Sequence, residues 1–418
     1  MAKKKVTPKV AEQPEQPVAA QPATGRPNFD GLMQLVEKDA KHKSTFYRAS
    51  SVGSDWRYID FIDLANKRPC LPLEWLYGTR GFLTGRIVKY LSNEAAGKSS
   101  VLLMNVGMAQ ATGGVWPCIW ETEKTVPPPD YIHSLGCDPK NLLLQAPDTV
   151  KECLSGIPAF IKTIRGKNVD PDKEFPILLG IDSVSGLGAN AVDIEEGDKK
   201  SEDSLGYHAR QFSKFFREAF KLCAREDAIL FATAQEKANI ETGGMPGAKP
   251  RGGSKKNTSI ADAPFAYHAS WIIKLYHKQA VKDDGTVEGE LVTMLSTKNK
   301  LAPRQRLVNV LMRKHSLAGD EPVWSFSQAT VQLLFGPSSP FDQDKCQSGG
   351  GWYRHDALGG SNYRLEDFVD AFYSNEALLM EVREKLRIRG FGFKFETDYA
   401  NEEERNDAEE ALSDAATT

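Results

Sequence analysis

The sequence predicts an α/β fold built on a mainly parallel sheet, and three observations predict it. A loop ending in Gly97-Lys98-Ser99 lies between a strand-like and a helix-like segment. Strand and helix patterns alternate from Leu71 to about Phe335. Two of the strands, Ile177–Asp182 and 228–234, are apolar on both faces, as strands covered by helices on both sides must be.

The elements follow in order. Residues 1–27 are rich in Pro, Ala, Gln and Lys and hold almost no large apolar side chains, so they are expected to be a disordered basic tail. Asn28 or Asp30 is placed to cap a helix through Leu32, Met33, Leu35 and Val36 to about Lys43. Residues 28–70 are expected to form this helix and a linker, for contact with a neighbouring subunit. The core is expected over 71–336. Ile87–Leu91 reads as its first strand, followed by the loop Ser92-Asn93-Glu94-Ala95-Ala96-Gly97-Lys98-Ser99-Ser100 and a buried helix to about Ala111.

That context is the one a phosphate-binding P-loop requires. Backbone N–H groups and a helix N-terminus favour an anion there. Lys98 would reach the β- and γ-phosphates, and the Ser99 hydroxyl would hold Mg²⁺. One position departs from the pattern: its first glycine is Ser92. A serine fits if its φ is negative and clashes if φ must be positive.

Beyond the loop, 115–123 reads as a strand, 130–135 as a helix and 141–144 as a short strand. Residues 149–164 carry Val150, Leu154, Ile157, Phe160, Ile161 and Ile164 at helical spacing. Residues 204–225 form a helix with Leu205, Ala209, Phe212, Phe216, Ala219 and Cys223 on one stripe. Segments 270–276 and 289–298 resemble a hairpin turning at Asp283-Asp284-Gly285. Two stretches, 186–203 and 236–262, are long, polar and glycine-rich or acidic, and loops of that length are usually functional. Both begin at carboxyl ends of expected strands, the edge where α/β sheets bind ligands. Residues 337–349 look like a linker. Segment 351–395 carries Trp352, Tyr353, Phe368, Phe372, Leu378, Leu379, Val382 and Leu386, and is expected to be a small α-rich domain within 337–395.

Composition bounds the function. The formal net charge of −3 argues neither for nor against nucleic acid. Its distribution says more: residues 396–418 hold nine acids against Arg405 alone, so the body is mildly basic beside an acidic tail. No apolar run approaches the ~18 residues of a membrane span, and the charged N-terminus lacks the apolar stretch of a secretory signal. The six cysteines form no Cys-x-x-Cys pair, which points to a reducing, cytoplasmic setting and away from structural zinc.

Several residues carry candidate chemistry. Asp182 ends an apolar strand after a P-loop, the usual partner of the Mg²⁺ shell. ATP hydrolysis needs a carboxylate to orient water in line with the γ-phosphate. Glu121 and Glu123 would point to one side of an extended strand, so spacing does not separate them. Gln235 at the next strand end is either a hydrogen-bond partner of the γ-phosphate or an ordinary strand-end glutamine, and spacing favours the second. Lys298 and Lys300 flank Asn299 and project the same way. From spacing alone they read as charges on a solvated edge strand.

Taken together the residues resemble RecA-type homologous recombinases, in particular divergent members of the phage or plasmid kind. The matching segments, in order, are Gly85-Arg86-Ile87-Val88 with the P-loop, Trp120-Glu121-Thr122-Glu123, Leu135-Gly136-Cys137-Asp138 with Asn141-Leu142-Leu143, Ile181-Asp182-Ser183-Val184, Gln235, Tyr267-His268-Ala269-Ser270, Lys298-Asn299-Lys300 and Gly351-Trp352-Tyr353. They span about residues 72–390. The resemblance implies a RecA-like P-loop ATPase core with an N-terminal polymerisation helix and a small C-terminal domain that gathers duplex DNA, restrained by the acidic tail. It implies that Glu123 is the catalytic glutamate and that Gln235 couples the γ-phosphate to a DNA-binding loop. It implies that Lys298 and Lys300 reach ATP bound by the next subunit, and that Tyr131 packs on adenine. Segments 186–203 and 236–262 become the DNA-binding loops. Lys237, Lys249, Arg251, Lys255 and Lys256 would then meet phosphates, with Ile240 or Met245 as an apolar wedge between bases. Phe46-Tyr47-Arg48-Ala49 fits the Phe-x-x-Ala pattern by which some recombinases dock on a neighbour. The implied cofactors are ATP and Mg²⁺. The implied partners are single-stranded DNA, double-stranded DNA, further copies of the chain in a helical polymer, and single-strand-binding and loader proteins, with no membrane.

Two rivals share the fold. A hexameric RecA-fold motor is one; its branch-migration relatives usually carry a Cys-x-x-Cys module and an Arg in place of Lys300, and neither occurs here. A mediator that binds nucleotide and DNA without strand exchange is the other, and DNA stimulation of the ATPase separates it from the recombinase.

Overall fold

A computed structural model describes residues 57–112, 114–166, 175–187, 201–236, 262–281, 287–313, 323–337 and 339–391. All belong to one compact unit, Trp56–Thr418. The expected helix of residues 28–43, the Phe46–Ala49 motif, both tails and the turn at Asp283-Asp284-Gly285 lie outside the described residues.

In chain order the elements are β1 (Tyr58–Asp60), β2 (Ile62–Asp63), β3 (Arg68–Pro69), α1 (Leu71–Tyr77), β4 (Gly81–Leu83), β5 (Arg86–Ser92), α2 (Lys98–Ala111), β6 (Trp116–Glu121), α3 (Pro129–Ser134), β7 (Leu143–Gln145), α4 (Val150–Ile164) and β8 (Ile177–Asp182). Then come α5 (Ser201–Arg225), β9 (Ala228–Gln235), α6 (Asp262–His268), β10 (Trp271–Val281), β11 (Val287–Asn299), β12 (Arg306–Arg313), β13 (Trp324–Ser325), α7 (Ser327–Phe335), β14 (Cys346–Gly349), β15 (Trp352–His355), α8 (Leu365–Ser374) and α9 (Glu376–Phe391).

One sheet organises the unit, in the order β13-β12-β11-β10-β5-β9-β8-β6-β7. Strands β10, β5, β9, β8, β6 and β7 run parallel to one another, and β11, β12 and β13 extend the sheet antiparallel. Side chains alternate across it, as the two-residue strand period requires. Val88, Tyr90, Leu178, Ile229 and Phe231 face a core that includes α2, while Ile87, Leu179, Ile181, Leu230 and Ala232 face one built with α4 and α5. Phe212, Phe215, Phe216, Ala219 and Cys223 supply the buried stripe of α5; Leu205 and Ala209 lie outside the described side chains. Helix α2 is buried on nearly every side, which its apolar run demands. Its buried Asn105 Nδ2 donates to the Tyr90 hydroxyl at 2.6 Å, and Tyr90 meets the Tyr77 hydroxyl at 2.7 Å, so its polar groups are paired. Where α2 crosses the turn at Gly136, Gly107 has no room for a side chain: a Cβ there would lie 2.3 Å from the Gly136 carbonyl oxygen. Helix α4 starts on a reciprocal cap. Thr149 Oγ1 accepts from Glu152 N at 3.1 Å, and the Glu152 carboxylate accepts from Asp148 N at 2.7 Å.

The structure corrects three expectations. Residues 57–70 are not linker but part of the core. Strand β1 pairs with β4, and Ile59 in the strand and Phe61 just after it, two residues apart, both bury their side chains in the core. Nor is 337–349 a linker. Phe341 is buried against Phe335, Phe372 and His355, and Cys346–Gly349 pairs with Trp352–His355 as a hairpin. A single aromatic anchor outweighed the polar composition around it. The third correction, that β6 ends at Glu121 rather than Glu123, concerns the site.

The described C-terminal part packs on the sheet unit through one shared cluster, in which Leu71 and α7 join Phe341, Phe368, Phe372 and Val382. Ion pairs flank it: Arg383 makes a two-pronged contact with Glu74 (3.1 and 2.7 Å), and Arg68 meets Asp370 at 2.9 Å. Phe368 is wholly buried there, so Phe368→Ala should cost about 3–5 kcal/mol of unfolding free energy. Urea unfolding monitored by circular dichroism checks this; a loss below ~1 kcal/mol would mean the cluster is not packed as described.

Candidate nucleotide site at the carboxyl edge of the sheet

The site is assembled where β5, β9, β8 and β6 end. Ser92 closes β5, and α2 starts at Lys98. Gly97 between them has φ +77°, a left-handed conformation that suits glycine, and Ala95 takes φ +55° at a cost of about 1–2 kcal/mol. Ser92 is absent from the positive-φ residues and sits in extended strand, so the substitution of the motif's first glycine introduces no backbone strain. Asn93, Glu94 and Ala95 are exposed and Ala96 is buried.

No side chain caps α2. The first-turn N–H groups of Lys98, Ser99 and Ser100 are therefore left for an anion. The Lys98 ammonium donates to Ser92 Oγ at 2.9 Å and Asn93 O at 2.7 Å. Burial lowers its pKa, and the carboxylates of Asp182, Glu123, Glu94 and Glu236 pull the other way. Asp182, at the end of β8, accepts from Thr233 Oγ1 at 2.6 Å and from the Ser99 hydroxyl. Burial lifts its carboxyl above the usual range, against those two hydrogen bonds. Two oxygen ligands of the type Mg²⁺ takes are thus in contact beside an anion cradle. The residues fit a nucleoside triphosphate with Mg²⁺. Among the described residues no cluster of three or more His, Cys, Asp or Glu offers another metal site.

The two glutamates that spacing left equivalent are placed differently. The Glu121 carboxylate is buried and accepts from Glu123 N and Thr125 N, both at 3.1 Å. Those bonds turn the chain and end β6, so Glu123 leaves the strand. Glu123 is exposed, and its Oε1 accepts from Ser183 Oγ at 2.6 Å. Thr122 ties the ends of β6 and β8, its Oγ1 donating to Ser183 O at 2.7 Å and accepting from Ser183 N at 2.9 Å. The Asp182–Ser183 peptide bond is cis. Gln235 lies opposite Ser92 in the β5–β9 register, and its N–H donates to Ser185 Oγ at 3.2 Å. Tyr131, on α3, lies within 3.2 Å of Ser100 Oγ, which brings its ring to the N-terminus of α2.

Lys298 and Lys300 are elsewhere. Lys300 N bonds Ser270 O, and Ser270 N bonds Ile87 O. Lys300 is therefore level with Ile87, five residues before Ser92 on β5, or about 17 Å along the strand. Both ammonium groups turn to the end of α6: Lys298 Nζ donates to Ala266 O and to Tyr267 O (3.3 Å), and Lys300 Nζ to Tyr267 O (3.1 Å). Burial first, then Lys300, pushes the Lys298 pKa down to about 8. The pair lines a cleft of about 620 Å³ with Tyr267, Arg217 and Lys221. Arg217 and Lys221 were not singled out from the sequence, although their four-residue spacing on a helix puts them on one face. Thr233, the partner of Asp182, was missed too; a hydroxyl inside an otherwise apolar strand was its signal.

Lys237, Ile240, Met245, Lys249, Arg251, Lys255 and Lys256 lie outside the described residues. Their loop leaves the sheet at Glu236, whose N–H donates to Ser92 O at 2.8 Å and whose buried carboxylate pairs with Lys274 at 3.1 Å. The other long loop leaves at Leu187 and returns in α5.

Comparison with known proteins follows the same core. The family model of the RecA N-terminal domain matches residues 65–314. The chain is 23% identical to protein RecA of Thermotoga petrophila over 82% of this chain and 87% of that protein. It is 27% identical to protein RecA of Acidiphilium cryptum over 67% of this chain and 73% of that protein. With protein RecA of Gluconacetobacter polyoxogenes it shares 29% identity over 67% and 72% of the two chains.

Proposed function

The chain belongs to the RecA family, and on that premise we propose that it is an ATP-dependent recombinase that polymerises on single-stranded DNA and carries out homologous pairing and strand exchange in the cytoplasm. The single observation that carries the reading is the division of the site's parts between two edges of one sheet. The P-loop, Asp182 and Glu123 lie at the carboxyl edge, and the Lys298–Lys300 pair lies at the other end of the strands. A lysine pair so placed serves a site on another copy. A head-to-tail polymer satisfies both faces, whereas an isolated chain leaves each half idle.

In this mechanism the α2 N-terminus and Lys98 hold the β- and γ-phosphates, and Tyr131 packs on the base. Ser99 and Asp182 would hold Mg²⁺, which supplies charge neutralisation on the phosphate oxygens. Glu123, steadied by Ser183, orients the attacking water and takes its proton. Lys298 and Lys300 of the neighbouring copy stabilise charge on the phosphates as the bond to the leaving group lengthens. Gln235 and Glu236, at the root of the loop, relay occupancy of the site to DNA contacts in 237–261. Those contacts are to the backbone, since homology is read by base pairing. The polymer contact is supported by β7, the last strand of the sheet among the described residues, where Leu143, Leu144 and Gln145 are all exposed. Phe46-Tyr47-Arg48-Ala49 of a second copy is the segment proposed to dock there.

Electron microscopy with single-stranded DNA and a slowly hydrolysed ATP analogue tests the proposal, with ATPase rates measured in parallel. Helical filaments and DNA-stimulated turnover are expected. Nucleotide binding without stimulation or filaments would mark a mediator instead, and translocation on duplex DNA a motor.

A further inference from the structure

We propose that Ser92, the residue standing where the P-loop pattern has its first glycine, is a positioning residue that aims the Lys98 ammonium at the phosphates. The inference rests on the nucleotide-site reading and adds a residue to it.

An ammonium has three N–H donors. Two of those on Lys98 are engaged, one by Ser92 Oγ at 2.9 Å and one by Asn93 O at 2.7 Å. Fixing two arms of a tetrahedral group fixes the third. That third donor is the one left for a ligand, so the direction in which Lys98 meets an anion is set before the anion arrives. A glycine at 92 would offer no hydroxyl, and the ammonium would turn about the single contact to Asn93 O.

The serine itself is held rigidly. It is fully buried. Its hydroxyl donates to Asn93 O at 2.7 Å, which leaves its lone pairs turned to Lys98. Its backbone is clamped in the sheet beside Gln235, and its carbonyl takes the Glu236 N–H at 2.8 Å. The Glu236 carboxylate is anchored in turn by Lys274 at 3.1 Å. The acceptor for Lys98 therefore sits on rigid strand, the arrangement that holds a binding group most accurately. Preorganisation of this kind lowers the ordering cost paid on binding, so its loss should appear in affinity more than in turnover.

The test compares the full chain with Ser92→Ala, Ser92→Gly and Ser92→Thr. Equilibrium titration with ADP and Mg²⁺, which involves no hydrolysis, is read beside KM and kcat for ATP at saturating single-stranded DNA. Ser92→Ala and Ser92→Gly should each weaken ADP binding and raise KM by about tenfold, the scale of one hydrogen bond to a charged group, with kcat within about twofold. Ser92→Thr, which keeps the hydroxyl, should restore both values, and the melting temperature without nucleotide should stay within a few degrees across the set. ADP affinity equal to that of the unmodified chain in both Ser92→Ala and Ser92→Gly would overturn this inference alone. So would equal weakening in all three variants, since a lost hydroxyl could not be the cause. Failure of the unmodified chain to bind ADP would overturn the nucleotide-site reading and this inference with it.

Discussion

Glu123→Gln should bind ATP and single-stranded DNA as the unmodified chain does and lose about 10²–10⁴-fold of its DNA-stimulated ATPase, the range for removing a general base. Glutamine retains an oxygen to accept from Ser183 Oγ, the contact that Glu123 makes at 2.6 Å. The substitution thus removes basicity while keeping the geometry. The informative control is Glu121→Gln. The Glu121 carboxylate receives two backbone N–H groups at 3.1 Å in the turn after β6. An amide can serve only part of that role, and burying the mismatch should cost about 1–3 kcal/mol of stability. Single-turnover hydrolysis and thermal unfolding separate the two. Full turnover in Glu123→Gln, with turnover lost and stability kept in Glu121→Gln, would exchange the two roles.

The second large effect is complementation. The double variant Lys298→Ala, Lys300→Ala should lose about 10²–10³-fold in ATPase, the scale of removing a charge-stabilising donor, while its own P-loop still binds nucleotide. Mixed with Glu123→Gln, it should regain activity. In a head-to-tail polymer of both variants, roughly a quarter of the interfaces join an intact glutamate face to an intact lysine face. A mixture no more active than its components would show that the lysines do not act across an interface. The low Lys298 pKa, about 8 from burial and then Lys300, bears on this result. A group with that pKa is charged below pH 8 and loses its charge above it, so assays at neutral pH read the charged pair.

Much of this was legible in sequence because it is local. The Gly-Lys-Ser loop between strand and helix, the doubly apolar strands Ile177–Asp182 and Ala228–Gln235, and the buried stripe of α5 all follow from spacing along a few turns or strand residues. Residues 57–70 and Phe341 were misread because composition averages over a stretch, while one or two buried apolar side chains decide where it packs. Thr233 could not be paired with Asp182 from sequence, since the contact spans 51 residues and depends on β8 lying beside β9.

By itself, then, the sequence determined the fold class, the phosphate loop and the inventory of carboxylates, amides and lysines around it. The tertiary structure decided which of those groups meet. A hydrogen-bonded turn separated Glu121 from Glu123. The register of β10 with β5 and β11 set Lys298 and Lys300 at the far end of the strands from the loop. Ser92, an irregularity when the motif is read along the chain, became an acceptor for Lys98 once β5 and α2 were brought together. Period and propensity are properties of neighbouring residues, but a hydrogen bond between strands depends on register, which is settled only when the whole sheet packs.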